Sequence, residues 1–272
     1  MALVPFPGAA APDPDDDRHI QLTDPDAFDD AAGAKMSFLD HLDELRKRLI
    51  HSAIAIAIGC VIAFTFLNRV FDFLTKPMRE MLPAGGSLVM TEPSEYFMLY
   101  IKVGLLIGFL IAIPAVMLQL WLFIAPGLYS REKKFAVPFV LMSSVFFATG
   151  AAFSHYVAFP WTWNFFINFM PEYLQPMIKL GAAFSLYVKM LLAFAVIFQM
   201  PTLVFFLARM GMVSAGFLIR KAKYAVLIIF VLGAVLSPGG DIPSQLMMAG
   251  PMMVLYVISI GIAWMFFKRK PA

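Results

Sequence analysis

Val103–Ala125 reads VGLLIGFLIAIPAVMLQLWLFIA, 23 consecutive residues without a formal charge. A helix needs roughly 20 apolar residues to cross about 30 Å of hydrocarbon, so this stretch reads as a transmembrane span. Similar runs lie on both sides of it. Leu49–Leu67 has 19 uncharged residues, and Phe135–Phe153 has 19 more and can continue to Phe159. Leu180–Ala208 is long enough but contains Lys189, with its span set at about 183–208, and Leu246–Phe267 is 22 residues with no charge. Tyr224–Leu236 has only 13 residues, roughly 20 Å as a helix, which suits a short span across a thinned bilayer or a re-entrant segment. The composition agrees: 61% of the 272 residues are hydrophobic, 14% are charged, and the mean hydropathy is +0.79. A water-soluble globular enzyme is excluded. The lone Cys60 cannot form an intramolecular disulfide, and His19, His41, His51 and His155 have no metal-ligand spacing, so no cofactor or metal is expected.

Charge sets the orientation. The net +3 is split: residues 1–34 carry eight Asp against Arg18, and residues 35–272 carry 20 basic and 10 acidic residues. The basic residues sit at the ends of apolar runs, which points to membrane topology and away from nucleic acid. With all six runs spanning, 14 Lys and Arg fall on the side of the termini, from Lys35 to the closing Lys268, Arg269 and Lys270; the other side has Arg69, Lys76, Arg79 and Lys179. The excess puts both termini in the cytoplasm. A re-entrant fifth run would carry the closing basic cluster across, so six spans are kept: about 49–67, 103–125, 135–159, 183–208, 224–236 and 246–267. The expected fold is all-α, polytopic, N-in and C-in, with Pro114, Pro138, Pro201 and Pro251 bending helices toward a concave shape. Residues 1–34, rich in Asp, Pro and Ala, read as a disordered tail outside the membrane domain of residues 35–272. That stretch lacks the basic n-region of a secretory signal.

Between tail and first span, Ser37 and Asp40 are spaced as a capping pair, and Phe38, Leu42, Leu45 and Leu49 follow at helical intervals. This predicts an amphipathic helix along the inner membrane surface. Asp43 with Lys47 and Glu44 with Arg48 have the spacing of ordinary i, i+4 pairs. After the second span the chain turns at Pro126 and Gly127, and Glu132 stands alone among Arg131, Lys133 and Lys134. Composition by itself makes both acids surface decoration.

The order of motifs adds more. FLDHLDELRKRL at 38–49, Glu92-Pro93-Ser94-Glu95, QLWLFIAPGLY at 119–129, Glu132-Lys133-Lys134, Phe198-Gln199-Met200-Pro201, Arg220-Lys221-Ala222-Lys223-Tyr224 and Ser237-Pro238-Gly239-Gly240-Asp241 with Ser244-Gln245 occur in sequence. In these the chain resembles the TatC family, the multispanning receptor subunit of the twin-arginine protein translocase, through nearly all of residues 36–270.

That resemblance implies a non-enzymatic receptor of the bacterial inner membrane that binds twin-arginine signal peptides of folded proteins at the cytoplasmic face, for export driven by the proton motive force. Its carboxylates fall at Glu44 and Glu132, with Arg46 orienting the helix or Glu44, and Phe123, Pro126, Leu128 and Tyr129 forming an apolar wall. Planar guanidinium groups suit bidentate carboxylate contact, which separates Arg-Arg from Lys-Lys. The single-span partners TatB and TatA are implied at Gln199, where family members carry Glu or Gln, and at Ser237, Asp241 and Gln245. Self-association in the receptor complex and contact with the lipid bilayer complete the implied partners. Without the resemblance, Ser237 to Gln245 reads as a capped turn. The competing reading is a small proton-coupled solute transporter using Lys102, Lys189 and Asp241, which predicts matching halves. Only the second half has a 13-residue run. An intramembrane protease lacks a recognisable nucleophile motif.

Overall fold

The computed structural model describes residues 38–83, 85–124, 136–171, 173–237 and 241–267. The chain divides into two compact units, Met1–Arg46 and Lys47–Ala272, with the division inside the first helix. In the first unit the described residues form the opening turns of that helix.

The elements are α1 (Phe38–Thr65), α2 (Leu67–Glu80), β1 (Ser87–Val89), α3 (Pro93–Ile124), α4 (Ala136–Phe153), α5 (Phe159–Asn168), β2 (Met177–Lys179), α6 (Leu180–Ile197), α7 (Gln199–Arg209), α8 (Ala215–Leu236) and α9 (Ile242–Phe266). A single π turn, Ser154–Ala158, joins α4 to α5. Five described helical stretches are long and apolar enough to cross a membrane: His41–Thr65, Pro93–Ile124, Val137–Asn168, Leu180–Arg209 and Ile242–Phe266.

Several boundaries differ from the sequence reading. The separate surface helix expected before Leu49 is not separate: α1 is helical from Phe38 through Thr65. No Pro or Gly interrupts the chain until Gly59, so nothing breaks the backbone hydrogen bonding at Leu49. α3 begins ten residues before the expected span, and its 32 residues extend roughly 48 Å, well beyond a 30 Å hydrocarbon layer. The 13-residue run at 224–236 is the second part of α8, a 22-residue helix whose Arg220, Lys221 and Lys223 fall in its first half. Ser214 starts it early by accepting a hydrogen bond from the Phe217 N–H at 3.1 Å. The expected fourth span is broken at Phe198, between α6 and α7. Pro201 supplies the reason, because it has no N–H for the Ile197 carbonyl and its ring crowds that turn. Pro114 and Pro251 lie inside uninterrupted helices, and Pro138 sits in the first turn of α4, where no donor is required.

α2 was not anticipated. It places Leu67, Phe71, Leu74 and Met78 on one buried face and leaves Asp72, Lys76, Arg79 and Glu80 outside. That face joins Leu99, Val103 and Leu106 of α3, Phe159 and Trp163 of α5, and Phe184, Tyr187, Met190 and Phe194 of α6 in the largest core. β1 and β2 pair in parallel, Leu88 opposite Ile178, at the start of α3 and α6. Glu95 fastens the same corner: one carboxylate oxygen accepts from the Gly181 N–H at 2.8 Å and the other from the Thr91 N–H at 3.0 Å. The first turns of α3 and α6 are therefore level.

Glycine lets two pairs of helices meet backbone to backbone. A Cβ on Gly108 would lie 2.5 Å from Cα of Cys60, which holds α1 against α3. A Cβ on Gly150 would lie 2.6 Å from the Phe194 carbonyl oxygen, which holds α4 against α6. Close approach through small residues is a common route to helix association where no water is present to drive it.

Candidate functional site

Of the residues expected to recognise a signal, Glu44 and Arg46 lie on α1 and Phe123 on α3. Glu44 is half-buried on α1, and Arg46 beside it is exposed. Phe123 is half-buried in the last turn of α3. Pro126, Leu128, Tyr129 and Glu132 lie in 125–135, outside the described residues.

What precedes and follows that segment is tightly built. Trp121, fully buried, packs its ring 4.6 Å from Phe139 of α4 and 4.9 Å from Phe206 of α7, and Phe139 and Phe206 are 5.7 Å apart. The chain thus leaves α3 and re-enters α4 through one three-helix aromatic cluster. Such clusters combine large buried area with preferred ring geometries. Two residues before Trp121, Gln119 accepts a hydrogen bond from an Arg48 guanidinium nitrogen at 3.3 Å, and the Ser52 hydroxyl donates to the Arg48 carbonyl at 2.9 Å. Arg48 thus ties α1 to the end of α3.

The residues expected to meet partner helices are all engaged within the chain. The Gln199 amide donates to the Ser143 carbonyl at 3.0 Å, joining α7 to α4 through the break at Phe198. Ser237 closes α8, its N–H donating to the Gly233 carbonyl at 2.9 Å. Asp241 caps α9: its carboxylate accepts from the Ser244 N–H at 2.8 Å, and the Ser244 hydroxyl donates to the Asp241 carbonyl at 3.1 Å. Asp241 starts α9 as the capped-turn reading expects, and Pro238, Gly239 and Gly240 of that reading lie outside the described residues. The hydrogen bond from the Ser244 N–H holds the Asp241 carboxyl below its ordinary range. Gln245 donates its side-chain amide to the Phe230 carbonyl at 2.8 Å, joining α9 to α8, and Tyr256 donates to the Leu218 carbonyl at 2.7 Å near the other end of the pair.

Asp241 of the transporter reading is engaged locally, its carboxylate occupied by its cap, and the two lysines of that reading, Lys102 on α3 and Lys189 on α6, stand at the surface. Among the described residues, no cluster of three or more His, Cys, Asp or Glu side chains could hold a metal.

Other structurally important residues escaped the sequence reading. His155 is buried in the π turn, its Nδ1 shares a 2.8 Å hydrogen bond with the Tyr187 hydroxyl, and its ring stacks on Phe73 at 4.4 Å. Glu95 was noted only within a motif, because its partner is the backbone N–H of Gly181, which no side-chain pattern announces.

Known proteins share this arrangement. The family model for Sec-independent protein translocase protein (TatC) matches residues 40–251. The chain is 42% identical over 236 residues to the Sec-independent protein translocase protein TatC of Desulforapulum autotrophicum, covering 87% of each chain. It is 39% identical over 238 residues to that of Koribacter versatilis, covering 86% of this chain and 88% of the relative. Two crystal structures of the twin arginine translocase receptor TatC, one of them in DDM, are 36% identical in sequence to it, with TM-scores of 0.72 and 0.74. They cover 82% of this chain and 97% and 99% of their own. A mostly helical, multi-pass membrane chain with this match along most of its length belongs to the TatC family of Sec-independent protein translocase components.

Proposed function

We propose that this chain is the signal receptor of a twin-arginine translocase in the bacterial inner membrane, and that it works without catalytic chemistry. The observation that carries the reading is the 36% identity and TM-score of 0.74 to a structure described as the twin arginine translocase receptor. The aromatic cluster of Trp121, Phe139 and Phe206 supports it, because it gives the segment carrying Glu132 fixed ends.

In this reading Glu44 and Glu132 each accept one guanidinium of the Arg-Arg pair, and Arg46 orients the helix that bears Glu44. Phe123, Pro126, Leu128 and Tyr129 face the apolar stretch that follows the arginines. Arginine is favoured over lysine because a planar fork can engage a carboxylate with two parallel hydrogen bonds. Both termini are cytoplasmic, and α8 is the sixth span. Its Arg220, Lys221 and Lys223 lie toward the cytoplasmic end, where long basic side chains reach the interface while their stems stay on apolar surface. TatB and TatA dock along α7, α8 and α9 near Gln199, Ser237, Asp241 and Gln245, and receptor copies associate with one another.

The test is binding of an Arg-Arg signal peptide and its Lys-Lys counterpart to the purified full-length protein and to its Glu44→Gln and Glu132→Gln variants. The receptor reading expects tight Arg-Arg binding that falls at least tenfold with Lys-Lys or with either variant. Equal binding of both peptides, undiminished in both variants, would contradict it.

A further inference from the structure

The groove between α3 and α6 has an apolar floor and a cationic rim. A cavity of about 390 Å³ opens there, lined by Leu105 and Phe109 of α3 and by Val188 and Leu192 of α6, with Lys102 and Ser185 at one end. Lys189 stands one helical turn beyond Ser185, on the same side of α6.

The two lysines lie at one depth. Because Glu95 accepts from the Gly181 N–H, the first turns of the two helices are level. Lys102 is seven residues past Glu95 and Lys189 eight past Gly181, about 10 and 12 Å along the axes. Measured from the other end, Ile124 is 22 residues past Lys102 and Arg209 is 20 past Lys189, about 33 and 30 Å. Both ammonium groups therefore fall near one edge of a 30 Å hydrocarbon layer, at the level of phospholipid phosphates. Both side chains are exposed, and among the described residues neither has a carboxylate within ion-pair distance.

We infer that this groove is a binding site for one anionic phospholipid, its headgroup phosphate held between Lys102 and Lys189 and one acyl chain laid along Phe109 and Leu192; the Ser185 hydroxyl donates to the Gly181 carbonyl at 2.7 Å and is not a donor to the phosphate. Charge complementarity selects the occupant. Two unpaired ammonium groups at phosphate depth attract a net-negative headgroup more than a zwitterionic one, and the uncharged floor accepts a hydrocarbon chain. Snorkelling alone would place the same ammonium groups at the interface but would not seat one lipid with its chain in a groove. On the topology proposed above the lipid belongs to the outer leaflet; the site itself rests on the helix geometry and not on the receptor reading.

Native mass spectrometry of the delipidated full-length protein tests it, with phosphatidylglycerol and phosphatidylcholine of identical chains supplied together. Each ammonium near an anionic headgroup is worth roughly fivefold in affinity, so the expected preference for phosphatidylglycerol is roughly 25-fold. It should fall toward parity in Lys102→Gln/Lys189→Gln and persist in Lys102→Arg/Lys189→Arg. The Lys76→Gln variant, whose site pairs with Glu80 away from the groove, should keep it. Equal retention of the two lipids by the unaltered protein would overturn the proposal, as would a preference unchanged in the double Gln variant or equally lost in Lys76→Gln. Preferred retention of an apolar single-span peptide bearing one carboxylate would assign the groove to a protein partner and also overturn it. No signal peptide is present in the assay. Arg-Arg peptide binding by the double Gln variant, measured separately, keeps failure of this proposal distinct from failure of the receptor reading.

Discussion

α6 and α8 are both strongly apolar, yet they have opposite surroundings. α6 buries Ala183, Phe184, Tyr187, Met190, Leu191, Phe194 and Ala195, packs against α3, α4 and α5, and shares its core with the buried face of α2. α8 buries only Ile229 and Gly233, packs chiefly against α9, and presents Leu227, Ile228, Val231 and Val235 outward. In water, an exposed face of that kind would be an aggregation liability. In a bilayer it is compatible with lipid, because lipid tails are as apolar as leucine and helices associate through packing and hydrogen bonds. Hydropathy therefore identifies the solvent of a helix and says nothing of its neighbours.

The largest expected contrast comes from truncating an apolar side chain on each helix. Phe194→Ala should cost about 2 kcal/mol or more in unfolding free energy, since the cavity left in the core persists even where water is not the alternative environment. Leu227→Ala on α8 should fall within about 0.5 kcal/mol of the parent. Thermal unfolding in a single detergent compares the two, and equal losses would break the distinction.

Glycine contacts sharpen it next. Gly150→Ala forces a methyl group against the α6 backbone and should cost about 1–3 kcal/mol. Gly261→Ala in α9 meets no atom within 4 Å and should be neutral or slightly stabilising. The fraction of monodisperse protein after stepwise heating reads both.

The Asp241 cap gives a smaller, pH-dependent effect. Asp241→Ala should cost about 1 kcal/mol at neutral pH. Because the folded carboxyl titrates below its ordinary value, the cap's contribution is present above that ordinary value and is lost as pH falls through the depressed one. The gap between parent and variant should be full at pH 7 and close under strong acid. A gap that widens with acidification would contradict the sign.

Much of the membrane architecture is legible in the sequence because uncharged runs of helical length leave few alternatives. The Asp241–Ser244 cap is legible too, since both partners belong to a short local pattern. α2 was missed although Leu67, Phe71, Leu74 and Met78 have helical spacing, because its charged residues placed it among the loops. The β1–β2 pairing involves only three residues on each side and was not readable from alternation. The full length of α8 was hidden by its basic residues, which set the start of the apolar run nine residues after the helix begins. Glu44 and Glu132 are different again. Neither spacing nor composition separates them from ordinary surface acids, and only the ordered family motifs single them out.

The central claim is that α8 crosses the membrane as a sixth span, which places both termini on the face assigned to signal recognition. Cys60 is the one native cysteine, so a Cys60→Ser background permits single cysteines at Ser214 and Ser237, the residues that flank α8. Labelling intact cells with a membrane-impermeant thiol reagent should modify the cysteine at 237 and spare the one at 214 until the cells are permeabilised. Labelling of both from outside, or of neither, would place the two ends of α8 on one side of the membrane and contradict the six-span account.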